Sequence, residues 1–249
     1  MSAALLAFDT STDTLSVALQ WQGGRSSWDG PGGALASSAL LPRVRALMEQ
    51  AGVRWADLAA VAFGRGPGAF TGLRTACAAA QGLACGAGLP VLPIDSLLIV
   101  AEDARRQIAA DGPGRLDVAV AMDARIGQVY AARYLRANGT WQTLAEPALC
   151  DPPDVAALWT PAGEPCALPD VLAGTGVAIA VGGDEDAAGW ARVPTVPAMA
   201  GRAAALLSLA DDAWRAGGAV PPAQALPLYL RDKVALTTAE RAALRDGAR

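Results

Sequence analysis

Between Val61 and Arg74 the chain reads VAFGRGPGAFTGLR. A short apolar run stops at Phe63, Gly64, Gly66 and Gly68 flank Pro67, and an alanine-rich helical pattern begins near Thr71. The expected order is strand, tight turn, helix. Glycines let a neighbouring backbone come close, and the proline fixes one φ and removes one donor. Gly64, Gly66 and Ala69 stand at the spacing of a dinucleotide fingerprint, with Asp95 in the range of its distal acid. Pro67 sits where the phosphate turn would be, however, and no Lys-Ser or Lys-Thr pair follows to make a P-loop. The loop is a packing corner that delivers a helix.

Around it the pattern is α/β. The apolar run Ala3 to Phe8 reads as a strand buried on both faces, closed by Asp9 and the polar turn Thr10, Ser11 and Thr12. Leu15 to Trp21 alternates, and Gly23-Gly24 turns it into a third strand. A helix is expected over Ser37 to Ala51, N-capped by Ser37 or Ser38 and ended by Gly52. Strands at Ala59 to Phe63 and Val91 to Ile94 follow, each leading into a helix, from about Gly72 to Ala87 and from Ser96 to about Ala110. The turn-rich DGPG at Asp111 to Gly114 marks a boundary, giving subdomains 1–110 and 111–249.

The second half repeats the order less regularly. Strands are expected at Leu116 to Met122, Val129 to Arg136, Trp141 to Ala145 and Val177 to Val181, with helices at Pro153 to Trp159 and Met199 to Ala216, and loop up to Pro169. Two βββαβα halves make the duplicated α/β architecture of the actin, Hsp70 and sugar-kinase (ASKHA) superfamily.

The chain has 249 residues and no histidine. A Ser-His-Asp triad, a His-ligated zinc and a histidine base are therefore excluded. With 20 Lys+Arg against 24 Asp+Glu and no basic stripe, the chain does not grip nucleic acid by itself. Cys77, Cys85, Cys150 and Cys166 form no CxxC pair, and no signal or membrane-spanning pattern is read, so a reduced, cytoplasmic protein is expected. Asp9, Ser11 and Thr12, with Gly182 and Gly183 in the second half, are where the superfamily would hold a nucleotide. Without a basic residue or glycine in the first turn they form at most a degenerate site. A free-standing ATP-dependent phosphotransferase using these residues is the alternative function. The helix after the glycine loop carries Ala76, Ala79, Ala80, Leu83 and Ala87 on one face, suited to close packing against a helix of this chain or of another. Arg74 opposes the dipole of that helix's first turn, which points to an anionic partner.

Several stretches resemble one family, the bacterial TsaB proteins, also called YeaZ: LLAFDTST at Leu5 to Thr12, LLP at Leu40 to Pro42, GRGPGAFTGLR at Gly64 to Arg74, DSL at Asp95 to Leu97, DARIGQVY at Asp123 to Tyr130 and YLRDKVA at Tyr229 to Ala235. The resemblance implies a non-catalytic ASKHA subunit. It would pair with the catalytic paralogue TsaD and the ATPase TsaE to form threonylcarbamoyladenosine beside the anticodon of ANN-reading tRNAs, with tRNA met only through the complex. It implies a homodimer when the chain is alone, no metal or cofactor of its own, and room for a nucleotide at the subunit junction. It also implies a partner interface on the two helices carrying Leu40, Leu41, Val44, Arg45 and Met48, and Arg74, Ala76, Ala80 and Leu83, presented by the loop Gly64, Gly66, Pro67, Gly68, Phe70, Thr71 and Gly72.

Overall fold

A computed structural model describes residues 3–108, 114–160, 168–182 and 189–231. The first sheet is built from β1 (Leu5–Asp9), β2 (Thr14–Trp21), β3 (Gly24–Pro31), β4 (Ala60–Gly66) and β5 (Val91–Asp95), in the order β3-β2-β1-β4-β5. Its helices are α1 (Ala36–Ala51), α2 (Phe70–Ala87) and α3 (Ser96–Ile108). The second sheet comprises β6 (Arg115–Asp123), β7 (Val129–Ala137), β8 (Thr140–Cys150), β9 (Val171–Ala173) and β10 (Thr195–Val196), in the order β10-β9-β6-β7-β8. Its helices are α4 (Val155–Trp159), α5 (Val177–Val181) and α6 (Arg202–Arg215). Read from opposite edges the two orders are the same. In both sheets the first three strands are antiparallel and the later ones parallel to the first. This is the duplicated ASKHA fold, and each unit is βββαβαβα, one strand and one helix longer than βββαβα.

The period-2 alternation of the central strands decides what lies on each face. Leu6, Phe8, Val61 and Phe63 point outward into a core with α1 and α2. Leu5, Ala7, Ala60 and Ala62 point inward against α6. Large side chains face the outer helices, whereas mostly alanines face α6, so α6 can lie close to the sheet. Each fully buried Leu or Phe contributes about 1.5–3 kcal/mol. On the other side of α6, Leu97, Val100, Ala101 and Ala104 of α3 pack on the second sheet. Thus α3 and α6 form the layer between the two sheets, α1 and α2 cover the outside of the first, and α4 and α5 the outside of the second. The chain passes from one sheet to the other near residue 114, but packing does not respect that point: the helix α6 of the second half is buried on the first sheet.

Two local expectations are corrected. Val177–Val181 is the helix α5, and the strand of that region is Val171–Ala173; the alternation-poor VAIAV cannot distinguish a short buried helix from a strand. The helix α1 starts at Ala36 and has no side-chain cap, because its cap position is Leu35, whose side chain has no acceptor, and the Ser38 hydroxyl lies inside the first turn, donating back to the Leu35 carbonyl. Pro42 lies inside this helix. Asp111 to Pro113 of the expected linker, and Cys166, fall outside the described residues. Among the described residues, no helix is long and apolar enough to cross a membrane.

Candidate functional site

The turn after β1, the glycine loop after β4 and the start of α6 converge. Gly64 leaves room for the Asp9 carboxylate: an added Cβ would lie 2.3 Å from its Oδ2. A Cβ on Gly68 would lie 2.6 Å from the Ser11 carbonyl oxygen, and one on Gly72 only 1.9 Å from that of Thr10. Hydrogen bonds hold the contact, with the Thr10 hydroxyl donating to the Gly72 carbonyl (2.6 Å) and the Ala69 N–H to the Ser11 carbonyl (2.8 Å). Gly66, at φ 114°, lies 2.7 Å (from its built Cβ) from the Leu228 carbonyl oxygen, and the Gly66–Pro67 peptide is cis. What approaches the glycine loop is this chain's own backbone, which is why the loop reads as close-packed.

Asp9 itself is fully buried and is matched by Arg202, which is 3% exposed. The Arg202 Nε and Nη2 donate to Asp9 Oδ2 at 2.9 and 2.6 Å, and Nη2 reaches the Ser11 hydroxyl at 3.2 Å. Oδ1 of Asp9 accepts from the Ser11 N–H at 2.6 Å. Where the superfamily would place a metal or phosphate beside the first strand, this chain places a guanidinium. The α6 N-terminus is held by two further carboxylates: Asp29 accepts from the Ala203 N–H, and Asp103 from those of Ala200 and Gly201. A break at the start of α6 would therefore uncouple both its sheet face and the Asp9 turn.

Beside this corner lies a cavity of about 890 Å³ between the subdomains. Ser11 and Thr12 line it, as do Arg202, Met122, Tyr130 and Thr175. Gly182 does not line it but ends α5 with a Cβ position 2.4 Å from the Ala178 carbonyl oxygen, and Gly183 lies outside the described residues. Gly182 is thus not brought to the cavity beside Asp9. Asp95 is likewise no ribose ligand: it caps α3 through the Leu97 N–H (3.0 Å) and accepts from the Tyr134 hydroxyl of the second sheet (3.1 Å). Burial pushes the Asp95 carboxyl up, and burial together with that carboxylate raises Tyr134 well above the usual tyrosine range.

The outer helix face also differs from expectation. Leu40, Val44, Met48, Ala76 and Ala80 are buried in the chain's own core, and Leu83 packs partly against it. The first five cannot meet another chain without unfolding this one, whereas Leu83 keeps part of its surface exposed. The side that faces out carries Leu35 (61% exposed), Leu41 (47%), Arg45, Thr71, Arg74, Ala78, Gly82 and Gly86. An added Cβ at Gly82 or Gly86 meets nothing within 4 Å. Among the described residues the partners of Arg74 are aromatic: its guanidinium lies 3.9 Å from the Phe70 ring centroid and its Nε donates to the Tyr229 hydroxyl at 3.3 Å. The Phe70 and Tyr229 rings meet at a 42° tilt with centroids 5.3 Å apart, fastening the segment after α6 along α2.

Arg202 is the residue of this corner that the sequence pattern left unassigned. Its signal was available, since it is a cation in the first turn of a helix, where the dipole disfavours it unless a carboxylate is at hand.

A family model described as TsaD: tRNA N6-adenosine threonylcarbamoyltransferase matches residues 35–181. The tRNA threonylcarbamoyladenosine biosynthesis proteins TsaB of Escherichia coli and Haemophilus influenzae are each 39% identical, over 55% and 53% of this chain. Those matches span 58% and 54% of the relatives, so the chain spans little more than half the length of the curated proteins it matches. The solved structure of YeaZ from Pseudomonas aeruginosa is 38% identical with a TM-score of 0.75, covering 92% of this chain and all (100%) of that one. A second Pseudomonas aeruginosa structure, of a protein with similarity to peptidase YEAZ, is 39% identical at a TM-score of 0.77 with the same coverage. The shared fold, and identity of this level along the whole of a solved relative, mean that the chain belongs to the TsaB (YeaZ) family.

Proposed function

We propose that this chain acts in the biosynthesis of tRNA threonylcarbamoyladenosine as a non-catalytic subunit that docks on the catalytic paralogue TsaD. The pathway follows the names borne by its relatives. The observation that carries the non-catalytic role is the Asp9–Arg202 pair: the one carboxylate at the end of β1 is spent on an internal cation and is not free for a metal or a phosphoryl group. A phosphotransferase would need that carboxylate. The chain works with TsaD and TsaE in the cytoplasm, requires no cofactor of its own, pairs with itself when alone and meets tRNA only within the complex.

The docking surface is the outward side of α1 and α2. Leu35 and Leu41 supply apolar area there, Ala78, Gly82 and Gly86 let a partner helix approach closely, and Arg45 and Arg74 flank them. A specific interface buries about 1,200–2,000 Å² in total, of which two helices can supply a large share. Replacing Gly82 by Trp tests the surface without disturbing the chain, because the added side chain points into open space and a helical glycine costs about 1 kcal/mol relative to alanine. The Gly82→Trp chain is expected to melt at or above the wild-type temperature and to bind TsaD at least ~100-fold more weakly by calorimetry, about 3 kcal/mol. Unchanged affinity would refute the surface.

A further inference from the structure

We propose that the cavity between the subdomains is a binding site for a small uncharged molecule carrying a carbonyl oxygen on a planar, largely apolar body. Its volume of about 890 Å³ falls within the range of small-molecule pockets. Three features of its lining select the ligand.

The first is a donor with capacity to spare. Arg202 lines the cavity at 3% exposure, and its Nε and Nη2 are occupied by Asp9 and Ser11. Its Nη1 donates to the Met199 thioether sulfur at 3.0 Å, a weak acceptor for a group with two N–H bonds. An oxygen placed there would take a charge-assisted hydrogen bond, with the Ser11 hydroxyl alongside.

The second is neutrality. Arg202 is balanced by Asp9, and at the mouth Arg125 is balanced by Asp13 at 3.3 Å. Asp29 is engaged by Ser16 and the Ala203 N–H, Asp123 accepts from the Arg125 N–H, and Arg231 donates to the Ala124 carbonyl. A polyphosphate or a carboxylate would bring negative charge to a deep end whose cation is already paired. A carbonyl oxygen brings none.

The third is the wall. Leu73, Val100, Met122 and Tyr130 supply apolar and aromatic surface for a flat body. The cleft that would hold a magnesium nucleotide in a working member of the fold is here shaped for a neutral one.

Nicotinamide and nicotinate are matched probes, equal in shape and differing in charge. Titrated against the full chain by ligand-observed NMR, nicotinamide is expected to bind saturably with a Kd of about 1 mM, in keeping with its size. Nicotinate is expected to bind about tenfold more weakly, and magnesium ATP is expected not to displace nicotinamide. Thr175→Trp, which fills the cavity from an exposed lining position, is expected to abolish binding. The paired variant Asp9→Asn/Arg202→Met, which strands neither charge of the pair, is expected to lose about tenfold through the missing donor. The proposal is overturned by absence of saturable nicotinamide binding, by equal or tighter binding of nicotinate, by displacement with magnesium ATP, or by retention of binding in Thr175→Trp.

Discussion

Arg202→Met is expected to cost about 3–5 kcal/mol of folding stability, the usual consequence of leaving one member of a buried ion pair without its partner. Asp9 is fully buried, and among the described residues the compensating contact left to its carboxylate would be the Ser11 N–H at 2.6 Å. Asp9→Asn added to Arg202→Met removes the stranded charge, and the double variant is expected to recover to within about 2 kcal/mol of wild type, since a buried pair is often close to neutral against its uncharged replacement. Urea denaturation of the wild type, both single variants and the double variant gives the cycle. A single-variant loss below about 1 kcal/mol would mean that water reaches Asp9 and that the pair is not the lock described here.

Ala80→Trp carries the second large effect. Ala80 is fully enclosed between α2 and the first sheet, in the same cluster as Phe8, Val61 and Phe63. An indole has no room there, and overpacking is expected to cost about 3 kcal/mol or more and to lower the thermal midpoint of the isolated chain. Thermal unfolding followed by circular dichroism separates this from the outward neighbour two residues on, where Gly82→Trp is expected to leave the midpoint unchanged or raised. Equal melting of the two variants would contradict the orientation of α2.

That contrast also marks where the sequence stops being legible. The alanine-rich pattern after Thr71 identifies a helix and a close-packed face, and α2 is there. It does not say which face turns inward, because Ala76, Ala80 and Ala84 on one side and Ala78, Gly82 and Gly86 on the other are nearly equally small. Only the sheet beneath, with Phe8 and Phe63 standing up from it, distinguishes them. The same limit applies to the Asp9 turn. The strand and its closing carboxylate were readable, but the guanidinium that neutralises it comes from a residue 193 positions away and carries no local pattern linking it to Asp9. Element order was legible in the first half, where apolar strand runs are cut off by turn residues and Gly52 and Gly88 end helices in the left-handed conformation. In the second half, three-residue and two-residue strands offer too few alternations to separate β9 and β10 from the short helix α5.

The glycine loop joins the two levels. Gly64, Gly68 and Gly72 are the positions at which β1's turn touches the start of α2, so the same contacts that seat Asp9 against Arg202 also set the pose of the outward helix. A defect at the Asp9 corner is thereby expected to be felt at the docking face.

The most direct test of the docking role is a reconstituted tRNA threonylcarbamoylation assay with TsaD and TsaE, in which this chain is wild type, absent, or carries Gly82→Trp. Full modification is expected with the wild type and almost none in the other two reactions, with the Gly82→Trp chain still folded. Wild-type levels of modification without the chain, or with folded Gly82→Trp, would contradict it.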